Sequence, residues 1–226
     1  MAAATTTLRV GTAVALVPLR HPLMWAREVT SLDHFTDGRF TLGVGVGWLA
    51  EEFAALGLPF AERGRVADEH LGALRALMTD EVASFHGTHV DFDDAVMLPM
   101  PLAPGGPPIL VGGDTDPALR RVAGYGDGWF GWNMTPAEFS HRLERLEELL
   151  ATTRFVDGRM RSLDELEIQV GVRFAGPPAE LATLVDAYAA LGATRVAVTA
   201  VVPPSRIDDR LGALATALDI RPVAAT

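Results

Sequence analysis

The stretch that decides the fold is PPILVGGDTDPALRR, residues 107–121. An apolar run is followed by two glycines, a turn of small polar residues and a basic helix start, which is the order of a strand, a loop and a helix. The glycines let the backbone approach a ligand, and Asp114 or Thr115 can cap a helix that begins at Pro117. The first amide groups of such a helix bind anions, phosphate above all. An ordinary capped connection explains this stretch equally well when it is taken alone.

The same alternation of strand and helix recurs along the chain. Apolar runs predict strands at 8–17, 39–48, 107–113, 128–132, 166–175 and 194–202. Helical periodicity predicts helices at 22–35, 65–78, 117–125, 135–153, 178–192 and 205–218. Thr135 and Glu138 have the spacing of a capping box, and Gly192 stands where a C-cap glycine belongs. Six βα units indicate an α/β protein with a parallel sheet, either open and doubly wound or closed into a (β/α) barrel.

The amino-acid composition limits the classes of protein to which this chain can belong. Hydrophobic residues make up 49% of the 226 and charged residues 21%, which is typical of one globular domain with an ample core. The net charge of −10 argues against nucleic acid and anionic membrane surfaces as partners. The absence of cysteine excludes disulfides and thiolate chemistry, and it fits a reducing cytoplasm. The sequence shows neither a signal peptide nor a membrane-spanning apolar run, so we expect a cytoplasmic protein.

Several local patterns have structural readings. GVGVGW, residues 43–48, lacks the spacing of a dinucleotide fingerprint, so we reject a Rossmann site. Asp33 and Arg39 are expected to form an ion pair around the turn between them, and Asp127 to organise a tight turn. The polar segment from about residue 80 to 101 contains possible metal ligands at His86, His89, Asp91, Asp93 and Asp94. Their spacing fits no standard metal motif, and we predict a solvated hairpin and no metal site.

Five segments together resemble one family. They are GTAVALVPLRHP (11–22), SLDHFTDGRFTLGVGVGW (31–48), PFAERGR (59–65), PPILVGG (107–113) and GYGDGWF (124–130). In this order they resemble the bacterial luciferase-like monooxygenases, especially the branch that uses the deazaflavin coenzyme F420. The resemblance implies a TIM barrel whose third strand is the one at 8–17. We therefore expect an incomplete barrel of strands three to eight in a single domain, 1–226, lacking about two βα units or about 60 residues.

The resemblance also implies a cofactor site. Its phosphate-binding turn corresponds to Gly112, Gly113, Asp114 and Thr115. Its strand-three bulge, which supports the flavin-type ring at a cis peptide, corresponds to Gly11, Thr12, Ala13 and Val14. Gly45, Gly47 and Trp48 correspond to residues lining the pocket, although Trp48 equally suits plain core packing. Val46 stands where the FMN-dependent branch can place an arginine, which favours F420 over FMN.

Arg20 and His21 follow the strand at 8–17, at the rim where barrel enzymes keep their chemistry. A histidine there can act as an acid or base, so His21 is our catalytic candidate, although a histidine before a proline also suits a helix start. The expected reaction is hydride transfer between F420 and a small organic substrate, in which the cofactor performs the electron step. The alternatives are an FMN-dependent two-component monooxygenase and a non-catalytic remnant or subunit. The apolar sheet edges left by an incomplete barrel favour a homodimer.

Overall fold

A computed structural model gives the structure of residues 2–200 and 202–220. The strands are β1 (Val10–Gly11), β2 (Ala15–Leu16), β3 (Phe40–Gly45), β4 (Ala83–His86), β5 (Asp91–Ala95), β6 (Ile109–Gly112), β7 (Gly128–Trp132), β8 (Glu167–Phe174) and β9 (Arg195–Ala200). The helices are α1 (Pro22–Thr36), α2 (Ala50–Ala55), α3 (Arg63–Thr79), α4 (Asp116–Tyr125), α5 (Pro136–Leu150), α6 (Pro178–Ala190) and α7 (Ile207–Ala217). None of these helices combines the length and apolar character needed to cross a bilayer.

One curled parallel sheet organises the molecule. Its strands follow the order β1, β3, β6, β7, β8, β9, and β2 also pairs with β3. Each neighbouring pair is parallel, because a helix returns the chain between the strands. The six βα units are therefore confirmed, and the α/β half-barrel agrees with the expected incomplete TIM-type fold. β1 and β9 form the two edges of the sheet.

The predicted continuous strand at 8–17 is interrupted. β1 pairs with the start of β3, the chain bulges outward, and β2 then pairs with the end of β3 through Ala15 and Val44. Inside the bulge the Thr12 hydroxyl donates to the Gly43 carbonyl at 2.7 Å. The peptide bond between Ala13 and Val14 is cis. The bulge that the family resemblance implied is thus present.

The core lies between the sheet and the helices. Leu42, Val111 and Trp129 point toward the helices and are at most 2% exposed. The Trp129 ring stacks on Phe139 of α5 at 5.3 Å between centroids. Because side chains alternate along a strand, Phe130 and Trp132 lie on the opposite face of the sheet. That face is rich in glycine, since a Cβ at Gly43 would lie only 2.0 Å from the Thr12 carbonyl oxygen.

Other local predictions have mixed outcomes. Thr135 and Glu138 form the capping box, Gly192 takes a positive φ of 96° after α6, and β4 and β5 form the expected hairpin. The short helix α2 was missed. α4 begins at Asp116, and the Thr115 side chain makes no capping hydrogen bond. The predicted strand at 194–202 includes Val201, which lies outside the described residues.

The predicted ion pair between Asp33 and Arg39 is wrong. Asp33 accepts a hydrogen bond from the Leu102 amide at 2.9 Å. Arg39 donates instead to the carbonyl oxygens of Leu8 and Ala2, at 2.6 and 3.1 Å. Each side chain forms hydrogen bonds with backbone groups of a segment far away in the sequence. The short spacing between Asp33 and Arg39 could not indicate these partners.

Asp127 does more than form a turn. Its Oδ2 accepts hydrogen bonds from the Ile109 amide at 2.8 Å and from Arg75 Nη2 at 2.6 Å. Arg161 Nη1 lies 3.8 Å from the other carboxylate oxygen. The carboxylate therefore joins the start of β6, helix α3 and the segment before β8 at the N-terminal end of the sheet.

We predict that Asp127→Ala lowers the free energy of unfolding by about 2 kcal/mol, because the buried Arg75 and the Ile109 amide lose an acceptor and the buried Arg161 loses a nearby opposite charge. Urea denaturation measures the change. Asp186→Ala on the exposed face of α6 is the control and should stay within about 0.5 kcal/mol of the parent. Equal stability of the two variants would contradict the structural role of Asp127.

Candidate functional site

A cavity of about 300 Å³ lies where β3 and β6 end and α3 and α4 begin. Gly45 and Gly112 supply backbone to its wall, and Val44 and Val111 close it from below. Parallel α/β proteins bind ligands at this end of the strands, because the helix starts converge there. The position therefore agrees with the site expected from the sequence.

The turn after β6 is shaped by glycine. Gly113 has a φ of 120°, and a Cβ there would lie 3.0 Å from Cβ of Ala118. Trp129 Nε1 donates to the Gly113 carbonyl at 2.7 Å and so fixes the turn. Within the described part of the chain, no acceptor pairs with the amides of Asp114, Thr115 and Asp116. These amides are free to bind an anion at the positive end of α4.

Two arginines add positive charge to the cavity. Arg121 is 8% exposed, and it donates to Asp68 through Nε at 2.5 Å and to the Gly64 carbonyl through Nη2 at 3.0 Å. Arg63 donates through Nε to the Gly47 carbonyl and through Nη1 to the Phe60 carbonyl. Among residues 2–200 and 202–220, neither Arg63 Nη2 nor Arg121 Nη1 has a hydrogen-bond partner, and Arg63 has no carboxylate partner. Sequence reasoning missed both residues, although Arg63 lies in the PFAERGR segment.

The carboxylate at the first position of α4 does not oppose this charge. Asp116 accepts hydrogen bonds from Arg145 Nε and Nη2 at 3.0 and 2.6 Å, and Arg142 and Arg120 lie within 4 Å. The Arg145 hydrogen bond lowers the pKa of Asp116, so it stays ionised and paired. Asp116 is absent from the cavity lining.

The structure brings together half of the predicted site. Six predicted residues line the cavity, namely Gly45, Trp48, Gly112, Gly113, Asp114 and Thr115. Trp48 is 82% exposed, so its alternative reading as core packing is wrong. Gly47 lies behind the wall with a φ of 81°, and a Cβ there would lie 2.9 Å from the Phe53 ring.

The bulge residues Gly11, Thr12, Ala13 and Val14 lie outside that cavity. A Cβ built at Gly45 or Gly112 would lie 2.7 or 2.9 Å from the Val14 side chain, which therefore covers both glycines. Phe130 and Trp132 continue this face with stacked rings 6.3 Å apart, and Trp132 is 46% exposed. Val14, Phe130 and Trp132 together form an apolar surface, which we call the apolar shelf. Gly45 and Gly112 lie between this shelf and the cavity.

His21 has a helix-start role. It is the N-cap of α1, and its Nδ1 accepts a hydrogen bond from the Leu23 amide at 3.2 Å. Its ring centroid lies 6.5 Å from that of His70. His21 is not part of the cavity lining, and its catalytic role stays a prediction.

The comparison with known protein families decides the identity. The model described as luciferase-like monooxygenase matches residues 1–175.

The chain belongs to the luciferase-like monooxygenase family.

Two curated relatives match part of the chain. The uncharacterized protein Rv0940c of Mycobacterium tuberculosis is 37% identical over 167 residues, which cover 73% of this chain and 57% of that protein. The FMNH(2)-dependent dimethylsulfone monooxygenase of Pseudomonas putida is 34% identical over 139 residues, 60% of this chain and 38% of that protein. The chain thus spans little more than half the length of the first of these curated relatives.

Solved structures support the fold. An F420-dependent secondary alcohol dehydrogenase in complex with an F420-acetone adduct superposes with a TM-score of 0.82, over 98% of this chain and 82% of that chain. Its sequence identity is 14%, so the likeness concerns the fold alone.

A second histidine beside the rim was missed by the sequence analysis. His70 of α3 is 7% exposed, and its Nδ1 lies 3.0 Å from the Val17 carbonyl oxygen. Burial lowers the pKa of His70, and the hydrogen bond to Val17 opposes that shift. The folded protein therefore binds the His70 proton less readily than the unfolded chain does.

This gives a pH dependence of stability. The contribution of His70 is fully present above about pH 6.5 and is lost as the pH falls toward its lowered folded pKa. We predict that His70→Asn, which keeps a donor for Val17, flattens the pH dependence between neutral and mildly acidic pH by up to about 1.4 kcal/mol per pH unit. Urea denaturation at several pH values measures it. An equal flattening in the exposed control His141→Asn would contradict this assignment.

Proposed function

We propose that this chain binds the phosphate-bearing tail of a flavin-type cofactor in the cavity at the ends of β3 and β6. One observation carries the proposal: several unused donors meet at one cavity. Arg63 and Arg121 line this cavity, and each has a nitrogen, Nη2 and Nη1, without a partner among the described residues. The unpaired amides that begin α4 lie at the cavity or beside it. Gly112 and Gly113 leave the backbone accessible, so the residues present fit a phosphate group. Asp114 would turn its side chain outward, where it is exposed.

The apolar shelf is our proposed site for the cofactor ring. Val14, Phe130 and Trp132 offer apolar contacts to a flat ring and exclude water from one of its faces. They lie next to the cavity through Gly45 and Gly112, so one molecule with a ring and an anionic tail would reach both. Gly11, Thr12 and Ala13 would act by holding Val14 in this position.

The proposed reaction is hydride transfer to or from a small organic substrate, for which a bound F420 supplies the electron step. The task of the protein is then to orient the two partners and exclude water. His21 stays the candidate for proton transfer at the rim. Because its Nδ1 accepts from the Leu23 amide, the neutral ring carries its proton on Nε2, which is the atom available to a substrate.

FMN-dependent oxygenation is the second candidate. A relative at 34% identity is an FMNH(2)-dependent monooxygenase, which favours this reading. Val46, rather than an arginine, lines the cavity and favours F420. The single-domain organisation and the cytoplasmic location stay predictions from composition.

Cofactor titration separates these proposals. We expect saturable binding of F420, followed by absorbance, and weaker binding of its phosphate-free deazaflavin precursor. Arg63→Ala should weaken F420 binding about tenfold, or about 1.4 kcal/mol, and leave the precursor unaffected. The control Arg154→Ala replaces an exposed arginine and should bind like the parent.

Tighter binding of FMN than of F420 would favour the monooxygenase. Unsaturable binding of both, together with aggregation, would favour the remnant. Equal effects of Arg63→Ala on F420 and on the precursor would contradict the phosphate assignment.

We also propose that two copies of this chain associate through the outer face of α1. Phe35 and Leu98 are 82% and 81% exposed, and Leu32, Val96 and Leu102 extend the same apolar surface. The Asp33 carboxylate holds the Leu102 amide at 2.9 Å, and His34 Nε2 lies 2.8 Å from the Met100 carbonyl oxygen. The helix and the 96–102 segment therefore present one fixed surface.

A second copy suits this face because the face is self-complementary. Hollows of about 380 and 480 Å³ flank Arg27, and Phe35 borders the smaller one. Arg27 borders both hollows and has no ion pair within the described residues, so an isologous contact would leave it available to an acidic side chain of the second copy. Such a pairing matters because the chain as a whole carries −10.

We expect sedimentation velocity to show a dimer that Phe35→Asp converts to monomer, because a carboxylate cannot be buried unpaired in an apolar interface. Leu56→Asp is the matched control, since Leu56 is also exposed but follows α2. A monomeric parent protein, or a dimeric Phe35→Asp variant, would contradict the proposal.

A further inference from the structure

A second cleft, of about 790 Å³, lies on the outside of α3. Its floor is α3, one wall is the β4–β5 hairpin, and the other wall contains Tyr125 and residues 155–157. Asp127, at the N-terminal end of β7, closes its base. Asp68 borders this cleft and also binds Arg121 of the cofactor cavity.

A glycine in the middle of α3 lets two aromatic rings pack against the floor of the cleft. A Cβ at Gly72 would lie 3.0 Å from the Phe85 ring and 3.7 Å from the Tyr125 ring. Ala76, one turn later, also lines the floor with a small side chain. The rings of the two walls therefore come close to the helix at Gly72.

A third ring in the cleft, that of Phe155, already contacts two cations. Phe155 lies between two guanidinium groups, with Arg75 at 5.4 Å and Arg161 at 4.7 Å from its centroid. Arg75 is already occupied, since it donates to the Tyr125 carbonyl and to Asp127. An incoming anion would find no free cation among the lining residues of the described chain.

Most carboxylates around the cleft are already paired. Asp68 binds Arg121, Asp127 binds Arg75, and Asp157 binds Arg159. Glu69 accepts hydrogen bonds from the His89 and Val90 amides. Within the described chain, the Asp80 carboxylate of the lining has no hydrogen-bond or ion-pair partner. The cleft thus combines aromatic rings with one unpaired carboxylate.

We propose that this cleft binds a small organic cation with an aromatic or alkyl body, such as an arylalkyl ammonium compound. The aromatic rings of Phe85 and Tyr125 line the cleft and attract a cation through their quadrupoles, and the unpaired Asp80 carboxylate adds a charge of opposite sign. The volume lies in the range of small-molecule sites. No established activity of the family is required for this binding.

Calorimetric titration with benzyltrimethylammonium tests the proposal. We expect one saturable site, with phenylacetate and the uncharged isostere neopentylbenzene binding at least about tenfold more weakly. Asp80→Asn should weaken binding of the cation about threefold to tenfold, and Gly72→Leu, which fills the floor, should abolish it. The control Asp186→Asn removes an equally exposed carboxylate on α6 and should bind like the parent.

Binding of the anion as tight as that of the cation, or a site unaffected by both Asp80→Asn and Gly72→Leu, would overturn the proposal. So would the absence of saturable binding by the folded parent protein. Thermal unfolding establishes that each variant is folded. F420 titration of the same variants should match the parent, so the outcome here is independent of the cofactor proposal.

Discussion

The close approach of the Thr12–Val14 bulge to the sheet is the constraint on which the rest of the structure depends. The bulge brings backbone and the Val14 side chain so near β3 and β6 that Cβ atoms at Gly43, Gly45 and Gly112 would overlap them. Glycine at these positions leaves the strand ends without side chains. On the helix side, Gly45 and Gly112 form part of the cavity wall. One packing requirement thus places the apolar shelf directly next to the cavity.

The charge around the cavity is opposite in sign to the net charge of the chain. The protein carries −10, yet the cavity concentrates a helix start and two arginines. Asp116 is paired with Arg145 and does not cancel this charge, whereas Asp68 balances the charge of Arg121 and leaves that of Arg63 unpaired among the described residues. Desolvated cations with unused donors attract anions more strongly than an exposed basic patch does, because little water competes. On the outside of α3, the second cleft is aromatic, and its Asp80 carboxylate is unpaired among the described residues.

Membership in the luciferase-like family and the half-barrel fold followed from five motifs and a repeated strand-helix pattern. The cavity at the ends of β3 and β6 was predicted at six of its lining positions, because glycines and a capped helix start leave a sequence signature. The two arginines of the cavity have no such sequence signature. Arg63 and Arg121 are 58 residues apart in numbering, and only the packing of α3 against α4 brings them to one cavity. The same holds for Asp33 and Leu102, whose contact replaced the predicted neighbouring ion pair.

The sequence by itself determined the order of the elements, the parallel sheet, the capping box at Thr135 and the glycine-lined turn after β6. These are local properties, since propensity, periodicity and capping depend on residues a few positions apart. Tertiary structure alone decided that Trp48 is exposed, that Asp127 joins three segments and that two aromatic rings pack against Gly72. Such features depend on distances between residues far apart in the chain, and those distances are fixed only when the helices pack on the sheet.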